Sequence, residues 1–145
     1  MIKEKHKTPS YILEVSKLEV ASTTEDPIDS MEYHQKMASD SSFNVKVLSA
    51  YRPDRAFYCE RPGFADYIPV LEKPGFASYI PVLEKVSGIR IDSFEMLFIA
   101  LEKRLLDFKA VGTMISDAGI EDFVWADYTE REIERIFTRA MKQMT

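Results

Sequence analysis

The chain has 145 residues, 46% of them hydrophobic and 30% charged, with a formal net charge of -5. That is the size of one domain with apolar material for one continuous core, and it excludes a disordered chain, which lacks such a supply of Phe, Tyr, Ile and Leu. The acidic balance and the scattered Lys and Arg argue against a nucleic-acid partner, because affinity for phosphate needs clustered cations.

The N-terminal residues 1–10 carry Lys3, Lys5 and Lys7, a run that suits a flexible, solvated terminus. No apolar segment of signal length follows, and no stretch approaches the ~18 uncharged apolar residues that a membrane span requires. The expectation is a cytoplasmic protein without membrane association. Cys59 is the single cysteine; it has no internal partner, and beside Phe57 and Tyr58 it reads as part of a strand, in a reducing compartment.

Tyr11 to Val20 reads as a strand, with Tyr11, Leu13 and Val15 on one face and a phase slip to Leu18 and Val20 that a bulge absorbs. Ala21 to Ser42 is polar and acidic and reads as a long connection. Within it, Asp29 and Glu32 have capping-box spacing and predict a short helix over Ser30 to Ala38. Phe43, Val45, Val47, Ser49 and Tyr51 alternate with their neighbours as in a half-buried strand. Arg52-Pro53-Asp54-Arg55 supplies turn chemistry, and Ala56 to Glu60 is expected to return as the second strand of a hairpin.

Next comes a tandem duplication over residues 62–85. Pro62 to Lys73 and Pro74 to Lys85 are twelve-residue copies that differ only at Asp66 and Ser78. Each holds Tyr-Ile-Pro-Val-Leu, whose proline suits an edge strand. Two short copies do not make a repeat architecture; only one need be structural, either can fill the same place, and deletion of Pro62 to Lys73 is expected to leave a folded protein.

Asp92 and Glu95 have capping-box spacing, with Ile91 and Met96 as a hydrophobic staple, ahead of a helix whose stripe is Phe94, Leu97, Phe98, Leu101, Leu105 and Phe108, ended by Gly112. Thr129 and Glu132 repeat the device before a C-terminal helix carrying Ile133, Ile136, Phe137, Ala140, Met141 and Met144, and Ile120 to Tyr128 reads as a short strand or packing segment. The resulting expectation for residues 1–145 is a single α+β domain. It has an antiparallel sheet of about four to five strands with two amphipathic helices packed on one face.

The residue pattern offers no recognisable catalytic or metal constellation and no cofactor motif. His6 and His34 stand apart from nucleophiles and from metal-ligand spacing, and the glycines form no phosphate loop. The expectation is therefore a binding protein without catalysis, metal or cofactor. Asp117, Glu121, Asp122 and Asp127 fall in a stretch without Lys or Arg, interleaved with Phe123, Trp125 and Tyr128. Aromatic anchors within one sign of charge suit a patch that docks a basic protein, so Asp117, Glu121, Asp122, Trp125, Asp127 and Tyr128 are the candidate partner-binding residues. The plainer reading makes the aromatics core and the carboxylates solvated.

Val86 to Lys103, with Gly88, Asp92 and Ser93 leading into a helix that carries Ala100 and Leu101, resembles a pattern in small bacterial proteins, some of them immunity proteins of toxin systems. The resemblance spans Phe43 to Val111. It implies an immunity or inhibitor protein that neutralises a basic toxin, such as a nuclease, through the acidic aromatic patch. The alternative is a structural or adaptor protein forming homo-oligomers through the spare edge strand.

Overall fold

The computed structural model of the protein describes residues 8–57, 76–119 and 127–142. The first element is a helix, α1 (Pro9–Val15), and not the strand expected over Tyr11 to Val20. Thr8 Oγ1 accepts the Tyr11 N–H at 3.2 Å, and Pro9 stands at the start of the helix, where its missing donor costs nothing. Tyr11, Ile12 and Val15 stay exposed, so no packing layer imposes the extended form on this segment.

Lys17, at φ 54, redirects the chain into β1 (Val20–Glu25), inside the stretch read as a connection. The short helix expected over Ser30 to Ala38 is present as α2 (Glu32–Ser39). Its N-cap is Met31 in the left-handed conformation, while Asp29 Oδ2 accepts the Asp26 N–H at 2.8 Å instead of capping the helix. β2 (Lys46–Tyr51) lies within the strand expected from Phe43.

Asp54–Phe57 makes a helical turn, α3, so Ala56 and Phe57 are helical where the return strand of a hairpin is expected; the rest of that strand, to Glu60, lies outside the described residues. β2 pairs in parallel with β1, from Val20↔Lys46 to Glu25↔Tyr51, and in parallel with β3 (Ile115–Ser116), which contributes only Ala50↔Ile115 and Tyr51↔Ser116. Among the described residues the sheet is thus parallel and three-stranded, in the order β1-β2-β3, which corrects the expected antiparallel sheet. Helices in each connection return the chain to the same end before the next strand starts, which is the arrangement parallel pairing requires.

The core lies under α4 (Phe76–Ser87), α5 (Phe94–Ala110) and α6 (Glu130–Lys142). α4 contains most of the second repeat copy, so the segment expected as an edge strand is helical there; the first copy lies outside the described residues. Phe76, Tyr79, Ile80 and Leu83 are buried at three- and four-residue spacing, a helical stripe. Complete burial of side chains such as Ile80 and Leu83 stabilises by ~1.5–3 kcal/mol each, enough together to offset the roughly 3 kcal/mol cost of Pro81 inside a helix.

Ser93, and not Asp92, caps α5, its hydroxyl accepting the Met96 N–H at 3.2 Å. Leu97, Leu101 and Phe108 of the expected stripe are buried, together with Ala100 and Arg104, whereas Phe98 and Leu105 are exposed. Gly112 ends this helical region at φ 99, as its position predicts. Arg104 ties α5 to the end of β1, donating to the Pro27 carbonyl at 2.7 Å and the Asp29 carbonyl at 2.9 Å. Tyr51 ties the sheet to the same helix, with its hydroxyl on the Leu101 carbonyl at 2.9 Å and its ring edge-on to Phe108 at 5.2 Å. The Thr129–Glu132 capping box opens α6 as expected, with both reciprocal bonds made.

Candidate functional site

Parallel sheets bring their loops together beyond the carboxyl ends of the strands, and ligands of such sheets bind there. The register aligns Glu25 with Tyr51 and Tyr51 with Ser116, so the three chains leave the sheet at one level. Asp26 follows β1, Arg52-Pro53-Asp54-Arg55 follows β2, and Asp117 follows β3. Six ionisable or turn-forming positions therefore need no long loops to meet; the strand ends place them.

Arg52 Nε donates to Asp54 Oδ2 at 2.7 Å and stands 3.9 Å from Asp117 Oδ1. Asp54 is fixed in turn by the Gly119 N–H, which lies 3.0 and 3.1 Å from its two oxygens. A side chain at Gly119 would crowd this pair: a Cβ there would stand 2.9 Å from Arg52 Nη2 and 3.1 Å from Asp54 Oδ2. The Asp54 side chain is 18% exposed, against 39% for Arg52 and 46% for Asp117. The inner carboxylate holds the cation while the other two side chains reach solvent.

Asp26 lies deeper. Burial raises its pKa above the ordinary carboxylate value, opposed by the Ile28 N–H and by Arg55, whose Nη1 is 3.7 Å from Asp26 Oδ2. The Tyr79 hydroxyl is buried close enough to favour the charged carboxylate, yet it makes no hydrogen bond of good geometry. Burial and the Asp26 charge both push that phenol upward. The Arg55 guanidinium sits 5.0 Å over the Tyr79 ring and joins this buried group to the exposed row.

His34 is held between Thr23 Oγ1 at 2.8 Å and Glu25 Oε1 at 3.5 Å, both facing the same ring nitrogen, Nε2. That geometry clamps α2 to β1 and does not line up a nucleophile with a base. Cys59 lies outside the described residues. Among the described residues no group of three or more His, Cys, Asp or Glu is placed to hold a metal ion. A cleft of about 920 Å³ runs along β2 from Lys46 past Ser49 to Ser116, with Lys109 and Thr113 on its wall. It follows the length of β2 on the side where β3 is short, and lacks the converging charges of the strand ends.

Of the residues expected to bind a partner, Asp117 joins the row at the strand ends. Asp127 and Tyr128 are exposed, Tyr128 at 72%, while Glu121, Asp122 and Trp125 lie outside the described residues. The sequence reading passed over Arg52, Asp54 and Gly119. The signal is a pair of charges just after a strand, but Pro53 and Asp54 are also turn formers, and turn chemistry there leads to a hairpin and an antiparallel sheet.

The family model for glucuronate isomerase matches residues 1–145. The uronate isomerase of Lachnoclostridium phytofermentans is 40% identical over 130 residues, which cover 90% of this chain and 25% of that protein. The crystal structure of uronate isomerase from Thermotoga maritima has a TM-score of 0.75 at 25% identity, over 94% of this chain and 27% of the other. Glucuronate isomerase from Caulobacter crescentus is alike in fold, with a TM-score of 0.75 at 22% identity over 96% of this chain and 26% of the other. The chain therefore spans about a quarter of the length of the relatives it matches.

These matches overturn the expected toxin-immunity or inhibitor protein, its basic toxin partner and the expectation that the chain belongs with non-catalytic proteins, since the matched family is one of isomerases. The resemblance rested on Gly88, Asp92, Ser93, Ala100 and Leu101. In this fold these serve a turn, a cap and the core, roles that many unrelated helices share. The adaptor alternative loses its premise as well, because its proposed edge strand is helical in the described copy.

Proposed function

The chain belongs to the glucuronate isomerase family, and on that premise we propose that it is the portion of a uronate isomerase that anchors the substrate's carboxylate, with Arg52 as the cation. A uronic acid is a sugar bearing a carboxylate. Isomerising it moves hydrogen between carbons, which calls for a fixed group to orient the sugar and an acid–base group to carry the proton. The observation that carries the reading is the convergence of Arg52, Asp54 and Asp117 at the carboxyl ends of two parallel strands.

Each residue has a distinct part in this reading. Arg52 offers a planar fork of donors that matches a carboxylate better than a lysine does. Asp54, locked by the Gly119 N–H, positions that fork and keeps its charge from drifting. Asp117 is the more exposed carboxylate; it accepts a sugar hydroxyl and is placed to exchange a proton with it. The rest of the reactive centre comes, in this proposal, from the three quarters of the relatives' length that have no counterpart here.

The test is a titration of the isotopically labelled chain with D-glucuronate and, separately, with D-glucose. The Arg52 Nε–H resonance should shift with glucuronate alone, and Arg52→Gln should weaken binding by about 10–100-fold, the worth of a charge-assisted hydrogen bond. An equal response to the uncharged sugar, or unchanged affinity in Arg52→Gln, would remove Arg52 from the role.

A further inference from the structure

Every core position that the second repeat copy supplies to α4 recurs in the first. Phe76, Tyr79, Ile80 and Leu83 are buried, and their counterparts are Phe64, Tyr67, Ile68 and Leu71. The copies differ at Ser78, which is exposed in the first turn of α4, and at Asp66. A carboxylate in a helix's first turn is favoured by the helix dipole, so Asp66 is no obstacle to the same conformation. We propose that both copies are competent to form α4, that the second occupies the position because of the residues following it, and that the first replaces it when the second is damaged.

The preference comes from the C-terminal end of the helix. Ser87 Oγ donates to the Leu83 carbonyl at 2.6 Å and accepts the Ile89 N–H at 3.2 Å. The Ile91 N–H donates to Glu84 Oε1 at 2.7 Å, and Gly88 turns the chain at φ +71, a conformation glycine adopts without strain. After the first copy, the residues standing in place of Val86, Ser87 and Gly88 are Pro74, Gly75 and Phe76. Pro74 has no donor and disfavours a helical residue before it, Gly75 has no hydroxyl, and Phe76 is strained at positive φ.

A helix made from the first copy therefore ends near Lys73 without those closing bonds, but it keeps the whole apolar face. Loop-closure cost grows only with the logarithm of length. Moving twelve residues from the connection before α4 to the one after it is a minor cost beside that face. The duplication thus acts as a spare for a core helix.

The experiment uses the full chain and compares Leu83→Asp, Leu71→Asp and the double variant by thermal melting. A charge at the fully buried Leu83 belongs to the most damaging class of core substitution. Leu71→Asp should leave Tm within ~2 °C of the parent, because under this proposal the second copy supplies α4. Leu83→Asp should keep a cooperative transition, lowered by roughly 10–20 °C, as the first copy takes over. The double variant should have no transition. If Leu83→Asp alone is as unfolded as the double variant, the first copy is no substitute; if Leu71→Asp alone destabilises strongly, it already has a structural place of its own. Either result overturns the proposal. A second pair of proteins checks it independently: deleting Pro62–Lys73 or Pro74–Lys85 leaves sequences that differ only by Ser or Asp at one exposed helix position, and both should fold with closely similar Tm. An unfolded deletion product in both cases would also sink it.

Discussion

The interior beneath α4, α5 and α6 and the charged row beyond the strand ends are built on opposite terms. Tyr79, Leu83 and Phe108 have no exposed surface, and their places are dictated by shape and apolar area. Arg52 and Asp117 are half-exposed, and their places are dictated by where a backbone leaves the sheet. Exposed ion pairs add little to stability, of the order of 0–1 kcal/mol. The interior therefore determines whether the chain folds, and in the proposed function the row contacts the substrate, so that damage to the two should be separable.

Phe108→Ala offers the strongest test of that division. Removing a ring with no exposed surface that packs edge-on against Tyr51 at 5.2 Å should cost about 3–5 kcal/mol in urea unfolding. Glucuronate affinity measured on the folded fraction should not change. A loss of stability below ~1 kcal/mol would mean that the site collapses readily around the missing ring and that the interior is less specified than its burial implies.

Gly119→Ala probes the row from the other side. The added Cβ meets the far end of the Arg52 side chain at 2.9 Å, which can swing away at small cost to the fold. Stability should change by less than ~1 kcal/mol, while glucuronate binding weakens several-fold because the guanidinium no longer sits against Asp54. Equal injury to both measurements would erase the distinction between the two regions.

Asp26 stands where they meet, and its effect is the smallest. Burial raises its pKa in the folded state, so between the unfolded and folded values the native chain keeps a proton that the unfolded chain has released. Stability from this group therefore falls as pH rises through that window. Asn is neutral throughout, so the Tm of Asp26→Asn relative to the parent should move in the variant's favour as pH rises from below the ordinary carboxylate range through the raised folded value. The lowered carboxylates of Asp40 and Glu132 run the other way but are the same in both proteins. A pH-independent difference would show that Asp26 ionises without penalty.

Local patterns were legible wherever local chemistry decides the outcome. The Thr129–Glu132 box and the Gly112 stop depend on residues within one turn, and both appear as expected. At α4 the signals conflict: Phe76, Tyr79, Ile80 and Leu83 have helical spacing, Pro81 is a strand-edge signal, and the burial that offsets its cost in a helix is tertiary. Strand direction was the decisive gap. Whether Arg52-Pro53-Asp54 reverses the chain or launches a crossover depends on partners some 25 residues before it and 60 after it, which no local pattern records. Only with that direction known do Arg52 and Asp117 come to stand together at the strand ends.

The brevity of β3 has a practical consequence for the protein in solution. Beyond Ala50 and Tyr51 the described residues give β2 no strand partner on that flank, and Lys46 to Leu48 keep some exposure there, which leaves an edge open to an extended segment. Such a seam templates the stacking of foreign strands, and the ammonium group of Lys46 is the kind of gatekeeper that slows it. Turbidity of concentrated samples should therefore rise at high salt, where that protective charge is screened.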